Sequence, residues 1–342
     1  MLALASGASY HGPAKLTFAR AFTSWTLDPW SLAAIVIAGG LYVAGVVAVR
    51  RRGERWPTGR VVLFGGLGLG FGAIATMSFV GVYQPVLFYI RSVQTVLLLL
   101  VVPLFVALGR PLSLFIAVRP RAGQRLQAAI GSRTAQLLTF PPITTFVLVL
   151  TPFLIYFTPW YAAGFRSGLV AQLTHLALLA PGFVFFWTLL RVDPVPRAYP
   201  YVLTLWITAA EVVGDAVLGI AVIADTSLLA GPYYHAVGYP WGPTLATSQV
   251  LGGGVLWILG DIVGVPFLAA QLIQMMHEDE ADARAIDAEL DAQEAAAAAS
   301  SVVSGAGEAT LTAEVSQPAM QRPWWESDRR FSDRFRALDD PD

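Results

Sequence analysis

The stretch YQPVLFYIRSVQTVLLLLVVPLFVALGRPLSLF, residues 83–115, decides the fold. It is a long apolar run broken by one polar turn, Arg91, Ser92, Gln94 and Thr95, and it leaves through Leu108-Gly109-Arg110-Pro111. An apolar run of about 20 residues reads as a membrane-spanning helix. An arginine at that depth costs several kcal/mol, about 3 on insertion scales, so Arg91 is expected to face other helices and a partner acid.

Outward from this stretch the same oiliness recurs. Of 342 residues, 56% are hydrophobic and 13% charged, with a mean hydropathy of +0.60. Such a chain is far too apolar for a soluble protein of this size. The fold class is therefore all-α, a polytopic bundle of seven transmembrane helices in a lipid bilayer. The predicted spans are about 30–49, 60–80, 85–108, 139–158, 168–190, 200–223 and 248–274. Gly66 with Gly70, Gly68 with Gly72, and Gly260 with Gly264 have the spacing that lets helix backbones approach.

Arginines set the expected orientation. Residues 50–60 carry five, 109–138 another five, and 191–199 two, whereas the alternate connections hold only Arg166. By the positive-inside rule the arginine-rich loops are cytoplasmic, placing the N-terminus outside and the C-terminus inside. Tyr83, Trp160, Tyr161, Tyr233, Tyr234 and Trp241 then fall at the outer boundary, where amphipathic rings are favoured. The start, MLALASGASYHGPAKLTF, lacks the basic opening and long apolar core of a cleaved signal, so the first span is expected to do the targeting.

The chain divides by composition into an extracytoplasmic lead-in (1–29), the seven-helix membrane domain (30–275), an acidic cytoplasmic helix extension (276–297), a disordered linker (298–321) and a Trp/Arg/Phe-rich C-terminal segment (322–342). Residues 278–294 contain eight acids and one arginine. Arg119, Arg121, Arg125 and Arg133, alternating with Leu126, Ile130, Leu137 and Leu138, fit a short helix at anionic headgroups.

Catalysis is not expected. The chain has no cysteine, which excludes a disulfide framework, thiolate chemistry and cysteine metal sites. It has no phosphate-binding glycine loop followed by Lys-Ser/Thr, no nucleophile elbow and no paired-histidine zinc motif. Nothing in it points to a nucleic-acid partner.

What remains is the interior polar set. Counted from the outer ends, Arg91, His175 and Asp215 lie about 10–14 Å deep at the helical rise. Glu211 and Asp215, four residues apart, share one face with Thr204 and Thr208. Asp261 sits at about the depth of Glu211. Gln94 and Gln249 complete an intramembrane polar cluster of Arg91, Gln94, Glu211, Asp215, Gln249 and Asp261. Two readings stand: a buried ion pair that fixes helix register, or an outward-facing cavity that handles protons or a metal ion. On the outer side the donors suited to copper are Met77, His175 and His235, besides the N-terminal His11.

Over about residues 20–275 the chain resembles the CtaG family of cytochrome c oxidase assembly factors, in its actinobacterial form. The likeness rests on Trp25, Asp28 and Pro29, Leu41-Tyr42, the Arg50-Arg-Arg-Gly53 exit, Trp56-Pro57 and Arg60. It continues through Gln94, Leu108-Gly109-Arg110-Pro111, His175 to Gly182, Phe186-Trp187 and Asp193-Pro194. It ends with Gln249, Gly252 to Gly254, Trp257, Gly260 and Asp261. The resemblance implies a multi-pass plasma-membrane factor that matures a haem-copper oxidase, with oxidase subunits as partners and help in copper delivery as its task. The family's third-span His-Met-x-Gln-His motif is altered: Arg91 and Thr95 stand at its histidines and Ser92 at its methionine. Ser248 replaces the aspartate of the last-helix Asp-Gln. Of the histidines carried over, His175 remains. The alternative from a different class is a transporter or channel for protons or metal ions using the intramembrane cluster.

Overall fold

The apolar runs of the sequence fold as helices, the form in which a spanning segment satisfies its backbone within itself. The computed structural model describes residues 10–197 and 199–305. Among the described residues the regular structure is entirely helical. The spans are α1 (Pro29–Arg51), α2 (Thr58–Tyr83), α3 (Phe88–Leu108), α4 (Pro141–Tyr156), α5 (Gly168–Leu190), α6 (Tyr201–Ala224) and α7 (Leu245–Gly305). Six of them are long and apolar enough to cross a bilayer. The count reaches seven if α4 is joined to the following helix Trp160–Arg166 across a bend of 65°.

That bend qualifies the fourth predicted span. α4 has 16 residues, about 24 Å of helix, short of the ~30 Å hydrocarbon core. Pro159 follows it, and the chain turns sharply there. The predicted headgroup helix resolves into two, Pro120–Ile130 and Arg133–Leu138, and a further helix, Pro111–Val118, precedes them.

Successive spans alternate in direction, and side chains tie each end of the bundle together. At the end bearing the arginine loops, the Tyr42 hydroxyl donates to Gly109 O at 2.7 Å and Arg52 donates to Ala117 O and Val118 O. At the opposite, aromatic-loop end, the Tyr83 hydroxyl donates to Ala14 O and Phe88 N donates to the Ser248 hydroxyl. The largest buried cluster joins Leu98 to Leu100 of α3, Leu148 and Tyr156 of α4, Leu178, Phe185 and Phe186 of α5, and Leu218 and Leu256 of α6 and α7.

Two spans depart from regular α geometry. In α2 the glycine run widens to a π-helix over Val62–Leu69, and the helix breaks at Ser78. In α3 a π-helical segment covers Leu97–Val101, just before Pro103. Proline has no N–H to offer the carbonyl four residues earlier, and the wider turn accommodates that loss.

The chain separates into two units, one up to Glu278 and one from Asp279 onward. In the second, Arg284 pairs with Glu280 one turn away on an exposed surface. Residues 306–342, which include most of the predicted linker and all of the C-terminal segment, lie outside the described residues.

Candidate functional site

The polar turn of α3 is buried, as its composition demands: Arg91 is 4% exposed and Ser92 0%. Its partners are amides and aromatic rings. Arg91 Nη1 donates to Gln84 Oε1 at 2.8 Å and to Gln94 Oε1 at 2.7 Å. The guanidinium carbon lies 5.5 Å from the centre of the Phe165 ring, within the range at which a ring face attracts a cation. Gln94 passes the connection on, donating to Ala75 O just ahead of the break in α2. Thr95 meets the Tyr156 hydroxyl at 2.9 Å, and Tyr161 meets Tyr234 at 2.7 Å. Burial pushes the Tyr234 phenol well up, so it stays a neutral hydroxyl.

The expected acid partner of Arg91 is not there. Among the described residues the one ion pair is Arg284 with Glu280. The carboxylates form a separate group on α6 and α7. Glu211 and Asp215 are 2% and 6% exposed and lie within electrostatic reach of each other and of Asp261. Glycines make room for them: a Cβ on Gly260 would stand 2.1 Å from Asp215 Oδ2, and one on Gly264 3.2 Å from Glu211 Oε2. Asp261 Oδ1 is buried with no hydrogen-bond partner. Arg91 therefore sits between two amides and the Phe165 ring, apart from the carboxylates of the predicted cluster.

Gln249 belongs to neither group. Its amide N–H groups face Val222 O, Asp225 O and Ser227 O at 3.0–3.3 Å, while its oxygen accepts from Leu229 N. It clamps the loop after α6.

The candidate copper donors occupy three environments. His175 lines a cavity among α1, α2, α3 and α5, and its Nδ1 is buried without a partner. Met77 is buried at the broken end of α2, where its carbonyl accepts from Thr26 N. His235 is exposed on the short helix Gly231–Val237. Among the described residues no three His, Cys, Asp or Glu side chains converge as a metal site would require.

Beside His175 lies a residue set that the sequence reading left out of the site. Asp28 caps α1, accepting from Trp30 N and the Ser31 hydroxyl, and also accepts from Gln172 Nε2 of α5 at 2.8 Å. Partial burial works to raise its carboxyl. The hydrogen bonds from Ser31, Gln172 and the backbone outweigh that and hold it below the ordinary aspartate value of 3.8. A depressed folded value means the capped link is fully stabilising above the unfolded value and is lost as pH falls through the folded one. Melting temperature should therefore fall on acidification below about pH 4. Asp28→Asn should flatten that limb, and an unchanged acid limb in the variant would show that other groups set it.

Gln172, three before His175 on one helix, carried a detectable signal in its spacing, whereas Gln84 lies before α3 begins and shares no helix face with Arg91. Phe165, Tyr156 and Tyr234 carried none, because they arrive from other spans and loops.

Comparison with known proteins bears on this arrangement. The family model described as cytochrome c oxidase caa3 assembly factor (Caa3_CtaG) matches residues 40–278. The uncharacterized proteins Mb0105 of Mycobacterium bovis and MT0111 of Mycobacterium tuberculosis are each 31% identical over 281 residues, covering 79% of this chain and 42% of the relative. ML1998 of Mycobacterium leprae is 28% identical over the same shares. The chain thus spans less than half the length of these relatives. No solved structure matches it.

Proposed function

Because the chain belongs to the cytochrome c oxidase caa3 assembly factor family, we propose that it is a multi-pass plasma-membrane factor that matures a haem-copper oxidase without catalysis of its own. One observation carries the reading: the family match runs from the middle of α1 into α7, and the bundle gathers polar groups at its aromatic-loop end. We take that end to face outward, since the arginine loops belong on the cytoplasmic side.

In this reading an oxidase subunit docks at the outer end and copper is cargo. The donor set fits a transient hold, because the His175 imidazole lines a cavity and, among the described residues, no cluster of three ligands stands beside it. Neutral imidazole suits either oxidation state of copper.

A deletion strain should lose assembled oxidase and regain it with the wild-type gene. Complementation with His175→Ala should restore the subunits but leave the oxidase short of copper. Normal oxidase level and copper content in the deletion strain would overturn the whole reading. Full copper in the His175→Ala strain would remove copper handling and leave the scaffold.

A second reading, a proton or metal-ion transporter, draws on the unpaired carboxylates Glu211, Asp215 and Asp261. It predicts flux into liposomes that is lost in Asp215→Asn. The assembly reading predicts none.

A further inference from the structure

Several of the sequence pieces on which the family likeness rests meet at the arginine-loop end of α1, α2 and α3, and the proposed function leaves them unused. They are Tyr42, Trp56, Arg60, Gly109-Arg110 and Asp193. The Tyr42 hydroxyl joins them. It shares its proton between Gly109 O at 2.7 Å and Arg60 O at 3.3 Å, and accepts from Trp56 Nε1 at 3.3 Å. Its ring stacks on Phe64 at 4.0 Å, and a Cβ on Gly109 would stand 2.5 Å from Phe64 Cβ. Arg60 and Arg110, distant in the chain, are thereby carried on one tightly packed base, within electrostatic reach of each other.

The pair is short of negative charge. The Arg60 guanidinium carbon lies 4.8 Å from the centre of the Trp56 ring. Among the described residues neither guanidinium forms an ion pair or donates a hydrogen bond. Asp193 acts on Arg60 from nearby, but its oxygens already accept from Leu112 N, Ser113 N and the Ser113 hydroxyl. Both arginines are half-buried, where charges are screened less than in open water. Arg110 carries a backbone cost as well: it is left-handed at φ 55, a conformation that glycine takes freely and an L side chain takes at a penalty. A strained cation beside a second unpaired one is a place where an anion relieves repulsion.

Position selects the anion. Arg60 lies in the first turn of α2 and Arg110 just past the end of α3, the level at which a bilayer presents its headgroups. Val62 and Phe115, close to them in the chain, are exposed apolar side chains, a surface suited to acyl chains. A guanidinium fork matches phosphate oxygens.

We propose that Arg60 and Arg110 together hold one phosphate group, that of an anionic phospholipid in the leaflet facing the arginine loops. The site involves neither copper nor an oxidase subunit, so it and the assembly reading fail separately.

Full-length protein in neutral detergent is titrated with dioleoyl-phosphatidylglycerol and read by native mass spectrometry. One lipid should bind ahead of all others, and at least tenfold more tightly than zwitterionic dioleoyl-phosphatidylcholine. Arg110→Gly, which suits the left-handed backbone while removing the guanidinium, and Arg60→Gln should each weaken that binding about tenfold, the scale of one lost charge-assisted hydrogen bond. Arg125→Gln, on the exposed side of the helix Pro120–Ile130, should leave it unchanged. Undiminished binding by Arg110→Gly overturns the proposal, and so does an equal loss in Arg125→Gln, which would mean diffuse attraction only. Displacement of the lipid by equimolar inorganic phosphate would make the site one for a free anion and overturn the lipid assignment. Should the variants not fold, photoreactive phosphatidylglycerol on wild type decides: labelling within 56–62 or 108–115 supports the site, and labelling confined elsewhere refutes it.

Discussion

The Gly182→Ala chain unfolds at a markedly lower temperature than wild type, with a loss of about 3 kcal/mol or more, at the upper end of overpacking costs. The reason lies in how α3 and α5 touch. Pro103 leaves the carbonyl of Leu99 without its usual donor, and the π-helical turn Leu97–Val101 places that oxygen against Gly182. A Cβ on residue 182 would stand 1.9 Å from Leu99 O and 2.8 Å from Pro103 Cγ. Backbone cannot swing aside as a side-chain tip can. The two helices must part along their most buried contact, where Leu98, Leu178 and Phe185 are 0–2% exposed.

Gly254→Ala is the control. No heavy atom lies within 4 Å of a Cβ there, and alanine gains up to about 1 kcal/mol in helix propensity. Thermal unfolding of both variants in one detergent reads the difference, and equal shifts would sink the argument.

Asp193→Ala should cost about 3 kcal/mol, through loss of several charge-assisted hydrogen bonds at once. Asp193 is 4% exposed. Its carboxylate accepts from Leu112 N at 3.0 Å, from Ser113 N at 2.9 Å and from the Ser113 hydroxyl. Those N–H groups open the helix Pro111–Val118, whose preceding residue, Arg110, is left-handed at φ 55 and supplies no side-chain cap. The α5–α6 connection therefore caps a helix in the α3–α4 connection from 80 residues away. Asp193→Asn keeps one acceptor oxygen and should lose less. Hydrogen exchange at Leu112 and Ser113 gives the direct readout, and retained protection in Asp193→Ala would mean another group caps the helix.

Much of the bundle was legible in the sequence because lipid leaves few choices. Apolar length set the ends of the first six helices to within a few residues, though not the far end of α7, and arginine runs marked one set of loops. Asp193-Pro194 was visible as a motif, but its capping role was not, since the capped helix is distant in the chain. The site was legible in parts. The α3 polar turn is buried as expected, and Glu211, Asp215 and Asp261 do gather.

Their expected meeting with Arg91 does not occur, for a geometric reason. Gln84 sits in the turn just before α3, and Gln94 is one turn along the same helix. Both reach the guanidinium without crossing the bundle, while Phe165 is delivered by the bend after α4. Pairing by charge sign ignores such local amides. The fourth span's bend had a visible marker in Pro159, yet hydropathy alone ran through it.

The glycines of α7 under the α6 carboxylates bear on how the chain is made. On insertion scales an acid near mid-bilayer costs about 2.5–3.5 kcal/mol, and α6 carries both Glu211 and Asp215 on one stripe. Alone, it is a poor candidate for release from the translocon into lipid. Gly260 and Gly264 cover those carboxyls only once the next segment has emerged, so α6 is expected to enter the bilayer together with α7, and a chain truncated after α6 should insert poorly in a translocation assay.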